Sequence, residues 1–296
     1  MSSTPQQTAP SARTSVLPIS LRRRVVDRVM TGAAILTVLL VLTPLIAIFA
    51  NLVYRGVVSL NWAFLTQLPK PPGEAGGGMA NAIVGSMLIL GIASAIGVPF
   101  GIGAGVYLAE FGRNRLGSFI RFTADVLNGV PSIVIGIVGW TLLVKGHGFS
   151  ALAGGFALAI MMVPTICRTT EEMLLLVPQA LREAAYGLGV PRWRATLSVV
   201  LRTATSGVIT GVMLAFARVA GETAPLLFTA LGNEFWSKHL DQPSAALPLQ
   251  IYKYYNTPYD DLHRQAWAGA LVLIALIVVS VAAVRYVVRR GTFGAA

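Results

Sequence analysis

Charged residues make up only 12% of this 296-residue chain, about half the share found in an ordinary soluble domain. A soluble protein of this length needs far more charge to cover its surface. A single cysteine excludes a disulfide-stabilised scaffold. The hydrophobic fraction of 55% excludes intrinsic disorder of the whole chain, because disordered chains are poor in apolar residues. The composition therefore indicates a protein that crosses a membrane several times.

Motifs for hydrolysis and metal chemistry are also lacking. The sequence contains no Gly-Lys dipeptide, so it has no P-loop to hold ATP and magnesium. Its three histidines form no HExxH metal pattern, and no G-x-S-x-G nucleophile elbow occurs. Cys167 lies among apolar residues, where an inert thiol is expected. We expect a non-catalytic chain without a cofactor, driven by a separate subunit, by an ion gradient or by nothing.

Six apolar segments are long enough to cross a bilayer, which takes roughly 20 helical residues. They lie at about Met30–Val53, Ala80–Leu108, Val126–Val144, Ala151–Leu176, Gly207–Leu231 and Ala266–Val288. Residues 29–290 are thus predicted to form a six-helix transmembrane domain, with external loops at about 54–79 and 232–265. Residues 1–28 and 291–296 are predicted to be tails, the first mostly disordered. The glycines of the second segment predict close helix packing.

Positive charge is distributed unevenly between the two sides of this predicted domain. Fifteen of the 23 Lys and Arg residues fall on the side of the termini, and six fall on the opposite side. The remaining two, Arg168 and Arg218, lie inside apolar segments. Since Lys and Arg are enriched in cytoplasmic loops, both termini are predicted to be cytoplasmic. The net charge of +11 is explained in this way without nucleic-acid binding.

The loop at about 177–202 on this basic side has the pattern of a short helix. Pro178 suits a first helical position, and Gly187 and Gly189 offer a stop. Leu181, Ala184, Ala185 and Leu188 recur at the spacing of one helix face. This narrow face of small residues favours insertion into a groove of a partner protein. A simple helix at the membrane interface is the alternative.

Ionisable residues inside apolar segments are costly, so they are candidate functional groups. Arg218 and Glu222 stand four residues apart beside Thr223, on one face of the predicted fifth helix. They indicate either a polar patch on a translocation pathway or a self-neutralising pair. Arg168 is predicted to meet Glu171 or Glu172, or else to extend towards the membrane interface. Asn128 and Ser132 either line the same pathway or cap and bend the third helix.

Two sets of motifs resemble a known family of transport proteins. Glu183-Ala184-Ala185, three further residues and then Gly189 resemble the EAA loop of ABC-importer membrane subunits, although position 202 is Arg where that family has Pro. The segments AGETAPLLFTA and NGVPSIVIG, together with Arg168–Glu172, resemble the PstA-type membrane subunit of bacterial phosphate ABC importers. The resemblance implies an all-α integral membrane protein with six transmembrane helices, the type I ABC-importer permease fold and a cytoplasmic EAA coupling helix.

The resemblance also implies partners and roles. It implies a PstC-type permease subunit as heterodimer partner, a PstB-type ATPase dimer that holds ATP and Mg²⁺, and a PstS-type phosphate-binding protein in a bacterial inner membrane. The residues tied to passage of inorganic phosphate are then Arg168, Glu171, Glu172, Arg218, Glu222, Thr223, Asn128 and Ser132. Those coupled to the ATPase are Leu181, Glu183, Ala184, Ala185, Leu188 and Gly189. A permease for another oxyanion or solute, or an ion-coupled carrier or channel, is the alternative.

Overall fold

The protein is helical throughout the part that its computed structural model describes, residues 21–74 and 76–293. The predicted disorder of residues 1–20, and the last three residues of the predicted C-terminal tail, lie outside that part. Twelve α-helices are present in it. They are α1 (Leu21–Ser59), α2 (Trp62–Thr66), α3 (Ala80–Glu110), α4 (Arg115–Gly129), α5 (Ser132–Gly139), α6 (Ala151–Leu175), α7 (Gln179–Gly187), α8 (Arg192–Ala195), α9 (Leu201–Ala220), α10 (Ala224–Thr229), α11 (Leu247–Tyr255) and α12 (Asp260–Phe293).

Two short π-helical segments extend or join these α-helices. Trp140–Val144 continues α5, and Thr196–Val200 joins α8 to α9. The chain divides into two units, residues 1–51 and 52–296, and α1 passes from the first into the second. Within the described residues, five helices are long and apolar enough to cross a membrane: α1, α3, α6, the continuous run 192–220, and α12. A sixth crossing exists only if α4 and the lengthened α5 are taken together.

The predicted third span, 126–144, is wrong in its course. α4 ends at Gly129, and α5 begins at Ser132 after a bend of 105°. Val130 has φ −68° and ψ 130°, which is extended. The ring of Pro131 disfavours the helical region for the residue before it. The sequence Val130-Pro131 therefore breaks the segment rather than bending one helix.

The predicted fifth span, 207–231, is also wrong. Its helix begins at Arg192, runs through the π-helical segment and ends at Ala220. The chain resumes helix only at Ala224. A continuous helix is disfavoured here because Gly221 costs backbone entropy and Pro225 lacks an N–H group and would clash with the carbonyl of residue 221. The first and sixth helices begin earlier than predicted, at Leu21 and Asp260.

The centre of the second unit is the packing of α3 against α6. Gly97, Gly101 and Gly105 recur every fourth residue on the face of α3 that contacts α6. A methyl group added at Gly101 would lie 2.6 Å from Cβ of Ile166, and one at Gly105 would lie 2.6 Å from Cβ of Thr170. The backbones can approach this closely only because these residues have no side chain. The predicted close packing is confirmed.

We expect Gly105→Ala to destabilise the protein by about 1–3 kcal/mol, because the new methyl group overpacks the α3–α6 contact. The loss is measured as a lower midpoint of thermal unfolding in detergent. The matched control is Gly103→Ala, two residues away on the open side of α3, where an added Cβ meets no atom within 4 Å. Equal midpoints for the two variants would contradict the assigned interface.

Candidate functional site

A row of polar side chains joins α4 to α6 in the second unit. Arg121, Asp125 and Asn128 of α4 meet Glu171, Arg168 and Thr165 of α6, in that order. The order is reversed along the two helices, so they run antiparallel. The spacings of three and four residues place each set on one helix face. We call these six residues the polar seam.

Arg168 is neutralised within the polar seam. Its Nε and Nη2 atoms donate to Oδ1 and Oδ2 of Asp125 at 2.8 and 2.7 Å, and its Nη1 atom donates to Oε2 of Glu171 at 3.0 Å. Of the two predicted partners, the structure therefore selects Glu171. Glu172 is exposed and forms no ion pair with any described residue. All three guanidinium nitrogens of Arg168 are thus already engaged.

Glu171 is buried between two cations. It is 4% exposed, and its Oε1 atom accepts from Nε of Arg121 at 2.6 Å while Oε2 accepts from Arg168. Two guanidinium groups offset the cost of removing this carboxylate from water. Arg121 also donates to the carbonyls of Leu108 and Gly112, both at 2.9 Å, around the C-terminal end of α3. The polar seam therefore holds three helices together.

Arg121 was not recognised from the sequence as a site residue. Arg121 lies before the predicted third span, which begins at Val126, in a segment for which the sequence analysis predicts no helix. The signal was present in the spacing of Arg121, Asp125 and Asn128 at i, i+4 and i+7, which is a polar stripe on a helix. Asn128, a predicted site residue, accepts from the hydroxyl of Thr165 at 3.0 Å.

The predicted Arg218–Glu222 pair does not form. α9 ends at Ala220, and the N–H groups of Gly221 and Glu222 bind the carbonyls of Arg218 and Val219 in a turn. The two side chains make no salt bridge with each other or with any other residue in the described ranges. Arg218 is exposed and Glu222 is half-buried. The helix break between them removes the i, i+4 geometry.

The breaks before α5 and before α10 lie side by side. A methyl group at Gly136 would lie 2.9 Å from Cα of Pro225, and one at Gly139 would lie 3.0 Å from Cγ2 of Thr229. This register is parallel, so the N-terminal ends of α5, at Ser132, and of α10, at Ala224, lie at the same end of the pair. Neither α5 nor α10 has a side chain capping its N-terminus. Ser132, Glu222 and Thr223 therefore border one region of interrupted helix.

The loop helix α7 presents most of its predicted face to solvent. Leu188 is 84% exposed and Leu181 is 41% exposed, while Ala185 is buried. Glu183 and Ala184 are exposed as well. The helix ends at Gly187, one of the two predicted stops, and Gly189 follows with φ 76°, while the N–H of Val190 binds the carbonyl of Ala185 at 3.2 Å. The described part of the chain leaves an apolar ridge uncovered on α7.

Arg182 fastens the opposite side of α7 to the transmembrane helices. Its Nε and Nη2 atoms donate to Oε1 of Glu110 at 3.1 and 2.9 Å. Its Nη1 and Nη2 atoms also donate to the carbonyls of Val177 and Leu174, at 2.6 and 2.8 Å. Arg182 lies in the loop predicted at about 177–202 but is not among the predicted site residues. Its position just after α6, where a helix C-terminus favours a cation, was the available signal.

Comparison with known proteins identifies the family. Residues 97–292 match the family described as "Binding-protein-dependent transport system inner membrane component". Proteins named "Phosphate transport system permease protein PstA" are 47% identical over 85% of this chain and 86% of the relative in Yersinia pestis, and 45% identical over 86% of this chain and 91% of the relative in Haemophilus influenzae. This chain belongs to the PstA permease family. The resemblance predicted from its motifs is confirmed.

The fold of this PstA-family permease is also found in a solved structure. The MetNI methionine ABC transporter, in an inward-facing conformation, matches with a TM-score of 0.55 over 72% of this chain and 94% of the other, at 18% identity. An identity this low supports the fold alone. The all-α type I ABC-importer permease fold predicted from the sequence is confirmed. Among the described residues of the permease, no group of three or more His, Cys, Asp and Glu side chains could hold a metal ion.

We expect Glu171→Gln to destabilise the permease by about 2 kcal/mol, because Arg121 and Arg168 lose the buried charge that they share. The matched control is Glu172→Gln, which changes the neighbouring but exposed carboxylate. Thermal unfolding of the two purified variants in detergent measures the difference. A midpoint for Glu171→Gln equal to that of the control would contradict the role of the polar seam in stability.

Proposed function

We propose that this chain is the membrane subunit of an ATP-driven phosphate uptake system and forms half of its translocation pathway. The observation that carries the proposal is similarity over most of the chain to relatives named for phosphate transport. The partners are then a PstC-type permease subunit, a PstB-type ATPase dimer and a PstS-type phosphate-binding protein. The chain lies in a bacterial inner membrane with α7 and both termini in the cytoplasm, as the distribution of Lys and Arg favours.

Arg218 is the cation that contacts phosphate in this proposal. Passage of an anion needs a positive group that no carboxylate has already neutralised. Arg168 does not meet this condition, because Asp125 and Glu171 occupy its guanidinium. Arg218 is exposed and has no carboxylate partner among the described residues. Arg168 and Glu171 act instead by holding α4 on α6.

Glu222 distinguishes phosphate from sulfate. Phosphate near pH 7 carries at least one P–OH group, which can donate to a carboxylate, whereas sulfate is fully deprotonated and is repelled. The hydroxyl groups of Thr223 and Ser132 border the same region and can donate to phosphate oxygens. Asn128 is bound to Thr165, and Glu172 is an exposed carboxylate of α6, so both lie outside this first contact. The contact is weak, since a tight site would stall release.

Energy enters through α7. The chain has no P-loop, so ATP and Mg²⁺ are held by the separate ATPase. The exposed ridge of Leu181, Ala184 and Leu188 fits an apolar groove on that subunit, as amphipathic helices do elsewhere. Glu183, Ala185 and Gly189 complete the EAA motif around the ridge. Closure of the ATPase dimer shifts α7, and the permease alternates between its outward-facing and inward-facing states.

We expect Arg218→Gln to lower phosphate uptake by about tenfold or more, because a charge-assisted hydrogen bond contributes at least about 1.4 kcal/mol. Uptake of radiolabelled phosphate into vesicles holding the complete transporter measures this. The matched control is Arg194→Gln, which removes an exposed arginine near α7. Full uptake by Arg218→Gln in an intact complex would refute the assigned contact.

We expect Leu188→Asp to reduce co-purification of the ATPase about tenfold, because an apolar contact is replaced by a charge that must be desolvated. The control is Leu240→Asp, which changes an exposed leucine between α10 and α11. The amount of ATPase retained per permease on an affinity column is the readout. Retention at the level of the control would contradict the assigned contact, and absence of any ATPase from the unmodified permease would favour an ion-coupled carrier or channel.

A further inference from the structure

The C-terminal end of α3 is gripped by two arginines from different helices. Arg121 of α4 binds the carbonyls of Leu108 and Gly112, and Arg182 of α7 binds the Glu110 carboxylate that lies between them. The negative end of a helix dipole favours cations at this place. Five residues of α3 and its C-terminal turn therefore connect the coupling helix to the polar seam.

The Arg182–Glu110 pair is buried. The two side chains are only 10% and 8% exposed, in contrast to an ordinary surface ion pair. The guanidinium of Arg182 donates to one carboxylate and two backbone carbonyls. A lysine ammonium cannot reproduce this set of hydrogen bonds. Separating the two side chains would leave an uncompensated buried charge, which is costly. The pair therefore holds α7 and the end of α3 at a fixed distance.

Charged contacts continue from this pair to the centre of the polar seam. Leu174, which accepts from Arg182, lies one turn after Glu171 on α6. Glu171 binds Arg121 and Arg168, and Arg168 binds Asp125. Each contact is a hydrogen bond of 2.6 to 3.1 Å. The path from α7 to α4 therefore combines these hydrogen bonds with short stretches of backbone, residues 108–112 of α3 and its C-terminal turn and residues 171–174 of α6.

The other end of α7 is connected by packing instead of a buried ion pair, since α7 contacts the segment Thr196–Val200 that continues into α9. Beyond Gly187 the chain passes through Gly189, at which φ is 76° and an added Cβ would meet no atom within 4 Å. Arg192 and Arg194, on the following helix, are exposed. A turn of this kind can absorb a small displacement of α7. Among the described residues, Arg182 is the side chain through which α7 forms an ion pair with a membrane helix.

We propose that Arg182 is a positioning residue that transmits the movement of α7 to the polar seam through Glu110. The proposal rests on the proposed function, in which the ATPase moves α7. Arg182 touches neither phosphate nor ATP in this role. It moves the ends of α3 and α6 together, so that α4, which leads into the break before α5, follows them. Loss of the pair uncouples hydrolysis from transport without abolishing either docking or hydrolysis.

The test is phosphate accumulated per ATP hydrolysed by the complete transporter in vesicles. Arg182→Lys keeps a positive charge beside Glu110, but one ammonium cannot span the acceptors that the guanidinium reaches. We expect it to retain the ATPase and its hydrolysis rate while the ratio falls about fivefold or more. Glu110→Gln, which removes the carboxylate instead, is expected to lower the ratio in the same way. Arg194→Lys is the matched control.

Two results would overturn the proposal. One is an unchanged ratio in both Arg182→Lys and Glu110→Gln. The other is loss of the ATPase from Arg182→Lys, because the residue would then serve docking only. The substrate serves only as the label in this ratio. If the unmodified complex moves another solute, the phosphate assignment fails, and the ratio for that solute still tests Arg182.

Discussion

A carboxylate withdrawn from water requires cations close to it, and the packing of α4 on α6 in this permease is arranged around that requirement at Glu171. Its two oxygens are taken by Arg121 and Arg168, and those arginines in turn bind the end of α3 and Asp125. Removing any one of these groups leaves a charge without its partner. The position of α4 against α6, and with it the start of α5, depends on this shared neutralisation.

The same requirement separates the two intramembrane arginines that look alike in the sequence. Arg168 is fully engaged within the polar seam, whereas Arg218 lies beyond the reach of the carboxylate predicted for it. A neutralised arginine fastens helices, and an arginine without a carboxylate can receive an anion. The helix break after Ala220 is therefore what leaves Arg218 available. The course of the backbone, and not the residue type, therefore determines which of the two arginines can bind phosphate in the proposed function.

Much of the fold was predictable because long apolar segments are bounded by polar, capping or helix-breaking residues. α3 and α6 agree with their predicted segments to within two residues, and the start of α6 is fixed by Ser150, whose hydroxyl accepts from the N–H of Ala153 at 3.1 Å. The helix α7 was predictable from Pro178, Gly187 and Gly189. The third and fifth spans were misplaced because average hydropathy does not register a break at Val130-Pro131 or at Gly221. Both breaks have local signals in the sequence, Pro131 at the first and Gly221 with Pro225 at the second, but the predicted helices run through them.

The site was less predictable than the fold, since its pairs are distant in sequence. Arg121 and Glu171 are 50 residues apart, and Arg182 and Glu110 are 72 apart. No local pattern in one sequence specifies such partners. What could be predicted was the residue type at each helix face, and the choice between Glu171 and Glu172 needed the packing of α4.

The bend at Pro131 also has a consequence for the surrounding lipid. The lengthened α5, Ser132–Val144, has 13 residues and thus a length of about 20 Å, well short of the roughly 30 Å of a hydrocarbon core. Unpaired backbone groups at the bend are tolerated at that depth only against protein or water. A crossing at this place therefore requires the bilayer to thin, flanking side chains to extend to the interface, or a partner subunit to cover the ends of the helix.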